Sequence, residues 1–426
     1  MGRSSTAVLW LLTRGFVLWL FFGPHSWVTG DIGYFAASLA GLPDRGLAST
    51  LVEYPLPGVA LVAVPWLLAK WAGHPDLYSE ILLGLALVTD AAYTVLLSRH
   101  TGRGRTAGTV TWLLAVPLLG ATTYARFDLV PGILAGVALL LLVSHPRLAA
   151  GAGAVATGLK LWPMLLLPAL AARTRERQPV LVVVAVVGLL LAVGSLALAG
   201  PDRLLSPLTW QSDRGLQIES VAATPVMFAW ALGPGDLVVE YSAYNAFEIF
   251  GPGVGWLLAA TSVLSMLLVV GLAVVWVRAW RRGASLGPDA VIWTCLAAVS
   301  AFMVTSRVLS PQYLLWLLPV VAAGLAVAET GRGQRLLRRW TLVLLVATGA
   351  TQLVFPVSYS GLVSHGEGSL RVVLVLAARN AMLVWLTVRA AREAWWHTGR
   401  EAEPQRGSAL DRQLPGPDDS GARTLR

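Results

Sequence analysis

Apolar runs recur along the whole chain, and short arginine clusters interrupt them. Ten runs, near 7–22, 79–98, 107–124, 128–144, 179–199, 254–278, 287–305, 310–328, 339–355 and 370–391, approach the length a helix needs to cross a bilayer. That length is roughly 20 residues for a hydrocarbon core of about 30 Å. Composition agrees: 56% of residues are hydrophobic, only 13% are charged, and the mean hydropathy is +0.67. A membrane β-barrel would show alternating segments of about ten residues instead. The predicted fold class is an all-α polytopic membrane protein.

The basic residues, thirty Arg against two Lys (Lys70 and Lys160), give a net charge of +9. They are not spread as a nucleic-acid-binding surface would require. They gather at 99–105, 173–177, 278–282, 332–339 and after Arg389, which the positive-inside rule assigns to the cytoplasm. The connections 23–55, 201–253, 306–309 and 356–369 hold most of the acids and are expected outside. This alternation needs two exceptions. Segment 56–71, broken by Pro57 and Pro65, should lie at the external interface. Segment 149–172, with Lys160 and Pro163 near its middle, should enter and leave on one side as a re-entrant helical hairpin. The alternative for 149–172 is an ordinary span that puts 173–177 outside.

The expectation is ten full spans plus the hairpin, in a multi-pass plasma (inner) membrane protein with both termini cytoplasmic. Residues 1–397 form one domain, with external loops 23–78 and 201–253. Residues 398–426, poor in apolar side chains, read as a disordered tail. The single Cys295 permits no intrachain disulfide and no cysteine-based metal site.

Asp31, in "GDIGY", and Glu53, in "EYPLP", are the conspicuous acids of the first external loop. Either fits an ordinary role, Asp31 at the start of a short helix and Glu53 ahead of a proline-rich turn. Lys160 lies deep in an apolar segment, where a charge is costly and usually marks a site. Arg126 and Asp128 read as a border ion pair or as site residues, and Arg307 as a helix-end arginine or a ligand. Asp90 is expected to pair inside the bundle with Arg14 or Arg379. In "TWQSDRGLQIES", 209–220, eight of twelve residues are polar. Asp213 and Arg214 read as a local pair, or Arg214 as an anion ligand held by Glu219. His25 and His365 read as ordinary loop histidines or as candidates to orient an acceptor.

Five stretches taken in order, "DIGY" with "EYPLP", "YARFDLVPGILAG", "GLKLWPMLLLPAL", "DRGLQIES" and "RVLSPQYLLWLLP", resemble the GT-C fold glycosyltransferases that use polyprenyl-phosphate sugars. Glycosyltransferase family 87, the actinobacterial α-mannosyltransferase group, is the nearest in pattern. The resemblance runs from about 25 to 390. It implies a GT-C-like bundle and an inverting transfer of a hexose, mannose foremost, from a polyprenyl-phosphate donor on the outer face. The acceptor would be a cell-envelope glycolipid or polysaccharide, and the other partners membrane lipids rather than nucleic acid. It implies Asp31 as catalytic base and Arg214, Lys160, Arg126 and Arg307 as donor-phosphate ligands. Glu219, Glu53, Asp128 and His365 would hold the acceptor or support the site. No cofactor is certain and no metal ligands are assigned, although a divalent cation is compatible. Gly30 and Gly33 flank Asp31 where some members carry a second carboxylate. Competing readings are a transporter or flippase of lipid-linked sugars and a wall-polymer ligase.

Overall fold

The computed structural model describes residues 2–399 except 176, 234 and 330. Most of the predicted tail, 398–426, lies outside the described residues. The described residues are predominantly helical. The first part contains α1 (Arg3–Phe22), α2 (Gly30–Ala40), α3 (Leu56–Trp71), α4 (Tyr78–Arg99), α5 (Arg105–Leu119) and α6 (Leu129–Leu141). A broken segment follows, with α7 (Pro146–Leu159) and α8 (Leu167–Arg173), then α9 (Arg177–Ser212), kinked at Gly200. The second part contains α10 (Thr224–Leu232), α11 (Val254–Arg282), α12 (Pro288–Thr305), α13 (Leu314–Val327), α14 (Arg332–Gln352) and α15 (Ser369–Gly399).

Seven helices among the described residues, α1, α4, α9, α11, α12, α14 and α15, are long and apolar enough to cross a membrane. Three of the ten expected spans differ. Runs 107–124, 128–144 and 310–328 yield α5, α6 and α13, of 15, 13 and 14 residues. Their neighbours explain this. Every residue of α13 but Val327 is buried, so this helix is enclosed by protein and need not match the hydrocarbon thickness. By contrast, α9 and α11 bury only 11% of their most apolar stretch.

Glycines let the short helices close on α13. A Cβ at Gly132 would strike the carbonyl oxygen of Leu315, and one at Gly136 would come within 3.0 Å of that of Pro319. On the other side, Cβ atoms at Gly104 and Gly108 would strike the carbonyls of Leu325 and Ala322. Both pairs are spaced G-x-x-x-G, the pattern that lets helix backbones approach closely inside a membrane bundle.

The five arginine clusters share one end of the bundle. Gly104 lies beside Gln334. Arg332 sits over Trp396 at 6.0 Å and Arg278 over Trp395 at 3.8 Å. Arg177 donates to the Trp280 carbonyl at 2.7 Å and Arg173 to that of Leu286 at 2.8 Å. Within 146–173, α7 ends at Lys160, where the backbone is extended (φ −153°, ψ 135°), and α8 follows and ends beside the Arg173–Leu286 contact.

The long connection after α9 is folded. Strands β1 (Leu216–Gln217), β2 (Val238–Tyr241) and β3 (Phe247–Phe250) form a small antiparallel sheet in the order β1-β3-β2, with Ile249 opposite both Leu216 and Val239. Hydropathy had suggested only a loop, because four-residue strands leave little periodicity. Leu216, Ile218, Met227, Trp230 and Ile249 pack with Val373 and Leu376 of α15, which ties the sheet and α10 to the bundle.

One buried ion pair staples the N-terminal helices. Arg14 Nε and Nη2 donate to the two Asp90 carboxylate oxygens at 2.8 and 2.7 Å, with both residues essentially unexposed. Trp10, Trp112 and Tyr124 donate to the same carboxylate. Of the two partners expected for Asp90, the structure selects Arg14. A pair this well satisfied is costly to break singly. Asp90→Ala should destabilise the purified protein by about 3–5 kcal/mol, read as a lower thermal midpoint in tryptophan fluorescence. Replacing both partners, Arg14→Met with Asp90→Leu, should recover only part of the loss, because the buried Trp112 and Tyr124 donors stay without their acceptor. An unchanged midpoint in the single variant would remove the pair from the structural core.

Candidate functional site

At the end opposite the arginine clusters, several short elements stop at one level. The 16-residue α3 begins there, with Gly58 against the Leu159 carbonyl at the end of α7. Helices α6 and α13 also begin there. The residues just outside these helix ends are Glu53, Arg126, Asp128, Lys160 and the run Ser310–Tyr313. A helix terminus exposes unpaired backbone groups and re-aims the chain, so charged side chains converge where helices end.

Asp31, in the first turn of α2, pairs with Arg126 at 3.1 Å. Arg126 also donates to the Val28 carbonyl at 3.1 Å, while its Nε is buried without a hydrogen-bond partner. Lys160 Nζ bonds Asp128 Oδ1 at 2.6 Å, and Trp316 Nε1 donates to the same oxygen at 2.7 Å. Four rings, Tyr54, Phe127, Tyr313 and Trp316, surround the Lys160 ammonium at 5.1–5.8 Å, which helps a half-buried cation persist. The border pair considered from sequence is therefore not formed: Arg126 goes to Asp31 and Asp128 to Lys160.

Three contiguous hollows meet at these residues. A cavity of about 300 Å³ is lined by Lys160, Arg307, Trp316 and Phe302 together with Pro207 of α9 and Ser262 of α11. It therefore lies beside the two helices most exposed to lipid. A second, of about 250 Å³, shares Lys160, Glu53, Gln211 and Tyr313 with the first and adds Asp31 and Arg214. A third, of about 200 Å³, shares Asp31, Tyr241, Asn245 and Gln312 with the second and adds Arg126, Trp27 and Tyr359. Edge-to-face contacts link Trp27, Phe355, Tyr359, Phe247 and Tyr241 into an aromatic wall along the third hollow. Asp31 is the carboxylate common to the second and third.

Asp31 and Glu53 hold protons more tightly than usual. Burial raises the Asp31 carboxyl above the ordinary aspartate value, and Arg126 reverses only part of this. Its side chain is 38% exposed, but onto a walled cleft rather than open water. Burial likewise raises Glu53; Tyr34, donating to Glu53 Oε1 at 2.8 Å, offsets part of the rise. Glu53 Oε2 is buried without a hydrogen-bond partner.

The remaining predicted residues are distributed less simply. Arg214 lines the second hollow, but it faces Glu248 of β3, with Nε and Oε1 4.0 Å apart. Glu219 is buried against Arg379 at 3.3 Å, and burial pushes its carboxyl up to about 7. Arg307 donates to the Arg214 carbonyl at 3.1 Å and to Ser262 Oγ at 3.1 Å, which links the polar connection to α11. His365 packs edge-on against Trp230 and does not line the three hollows. His25 lies 3.5 Å from Gln352. Among the described residues, no three His, Cys, Asp or Glu side chains group as a metal site.

Sequence reasoning passed over Arg203 and Trp316. Arg203, one turn beyond the Gly200 kink, donates to the carbonyls of Leu47, Leu51 and Tyr54 at 3.3, 3.0 and 2.8 Å. Ser206 adds a bond to the Val52 carbonyl at 2.7 Å. The pair clasps the backbone that presents Glu53. The signal was an arginine in the polar "PDRLLSP" run after a long apolar helix. Arg203→Met should leave buried carbonyls unpaired, each costing about 1–3 kcal/mol. Limited proteolysis should then cut within 41–55 faster than in wild type, while α11 stays protected. Equal cleavage in both proteins would refute the clasp.

Comparison with protein-family models, with curated proteins and with solved structures returns no match for this chain.

Proposed function

We propose that this chain is an integral-membrane inverting glycosyltransferase that moves a hexose, mannose foremost, from a polyprenyl-phosphate donor to a carbohydrate acceptor. The observation that carries the reading is the position of Asp31. It stands where a cation-lined hollow, leading from the lipid-exposed helices, meets an aromatic-walled polar hollow.

The donor's isoprenoid chain would lie against α9 and α11, with its phosphate beside Lys160, Arg214 and Arg307. Arginine binds phosphate through two parallel N–H donors, and both cation types offset negative charge strongly where water is excluded. The acceptor would occupy the third hollow, its sugar faces on the aromatic wall and its hydroxyls toward Asn245 and Gln312. The acceptor hydroxyl attacks the anomeric carbon while Asp31 takes its proton. The bond from the anomeric carbon to the phosphate oxygen breaks, and the phosphate departs with the electron pair as a stable anion. No second carboxylic acid is needed to protonate the leaving group, unlike in a glycosidase. A single displacement inverts the anomeric configuration. Arg126 orients the Asp31 carboxylate and limits the rise in its proton affinity.

In the same reading 146–173 is a re-entrant hairpin and the arginine clusters face the cytoplasm, which puts the cleft on the outer face. The cleft's charged groups gather at one end of the bundle. That favours transfer to an external acceptor over transport, which needs a polar site near midplane accessible from both sides.

Membranes or reconstituted protein supplied with radiolabelled polyprenyl-phosphate mannose and a mannose-containing acceptor should transfer label. Asp31→Asn should lower the rate by about 10²–10⁴-fold with the protein still folded, and Lys160→Met should raise the donor KM. A base must be deprotonated to act, so activity should fall as pH drops through the elevated Asp31 value. Arg126→Gln removes the neighbour that lowers this value, so the acidic limb should move to higher pH. No transfer by wild type, undiminished transfer by Asp31→Asn, or an unmoved limb with Arg126→Gln would each count against this assignment.

A further inference from the structure

We propose that the arginine-rich end of the bundle carries a binding site for the phosphate of an anionic membrane lipid. Arg332 and Arg392 would hold it, with Arg389 between α14 and α15. A separate cavity of about 240 Å³ lies here, lined by Arg332, Gly333 and Leu336 of α14 and by Arg389, Arg392 and Trp396 of α15. It lies at the end of the bundle opposite the cleft, shares no lining residue with the three hollows and is independent of the glycosyl-transfer reading.

The charge arrangement favours an anion. Among the described residues, Glu393 is the one acid on the cavity wall, and it is engaged. Its Oε1 accepts from Arg389 at 2.7 Å and its Oε2 lies 3.7 Å from His397. Arg332 and Arg392 therefore contribute charge that Glu393 does not match. Arg332 is also the first residue of α14, a helix of 21 residues, whose opening N–H groups and dipole add positive potential.

Position argues that the anion belongs to a lipid. The cavity lies between the first turns of α14 and the last turns of α15, both long and apolar enough to cross a membrane. Leu336 and Trp396 supply apolar wall, and Trp395 beside them is 51% exposed. Exposed tryptophans at helix ends mark the boundary between hydrocarbon and headgroups. A basic pocket between helices at that depth meets lipid phosphates before it meets solutes.

The test uses the full chain in phosphatidylcholine nanodiscs doped with phosphatidylglycerol, with retained lipid counted by native mass spectrometry. Wild type should retain phosphatidylglycerol in preference to phosphatidylcholine. The double variant Arg332→Gln/Arg392→Gln should lose about five-fold in affinity per arginine, about twenty-five-fold for the pair. Both side chains are exposed, so packing should survive. Arg281→Gln/Arg338→Gln removes equal charge from exposed positions at the same end, outside the cavity, and should retain the lipid. Three results would overturn the proposal: no preference in wild type, equal loss in both double variants, or displacement of the lipid by soluble glycerol 3-phosphate, which would indicate a free-anion site.

Discussion

The architecture depends on the close approach of α13 to α5 and α6. Two glycine pairs, Gly104 with Gly108 and Gly132 with Gly136, let those backbones reach the carbonyl face of α13. In a bilayer there is little hydrophobic gain from joining apolar helices, so close van der Waals packing has to supply the attraction. Enclosing α13 on both sides has a geometric result. Helices wrapped by protein can be short, and where short helices stop, the bundle opens. The cleft occupies that opening.

Charge partners follow from this arrangement rather than from sequence proximity. Arg126 and Asp128 are two residues apart, yet each takes a partner from a distant segment, Asp31 and Lys160. Arg214 adjoins Asp213 in the chain but faces Glu248 across the small sheet. Glu219 pairs with the buried Arg379 at the back of the third hollow. These exchanges leave Asp31, Arg126, Lys160, Arg307 and Glu219 around connected hollows, while His365 stands apart from them. The proposed chemistry asks for one carboxylate facing a hydroxyl and several cations facing a phosphate, and Asp31 with Lys160, Arg214 and Arg307 would fill those parts.

Much of the organisation was legible in the sequence. Arginine clusters separated by apolar runs required an even number of crossings between them, and contacts from Gly104–Gln334 to Arg173–Leu286 gather all five clusters at one end. Lys160 and Pro163 marked the break in 146–173, because a charge and a missing backbone donor are hard to place in an unbroken apolar helix. Asp31, Lys160, Arg126, Arg214 and Arg307 were all legible as candidates and all line the hollows. The sheet was not legible, since two- and four-residue strands carry almost no pattern. Nor was the Arg203 clasp, which joins residues some 150 positions apart.

Composition and periodicity by themselves determined a helical membrane protein, the end on which its arginines fall, and a short set of charged residues out of place in apolar surroundings. Apolar length and charge position act locally and are written into each segment. The tertiary structure alone decided which helices are enclosed, which acid meets which base, and that Asp31 stands between a lipid-side hollow and an aromatic-walled one. Those outcomes turn on ångström-scale packing of α13 against glycines and on competition among several cations for a few carboxylates, and no single segment contains that information.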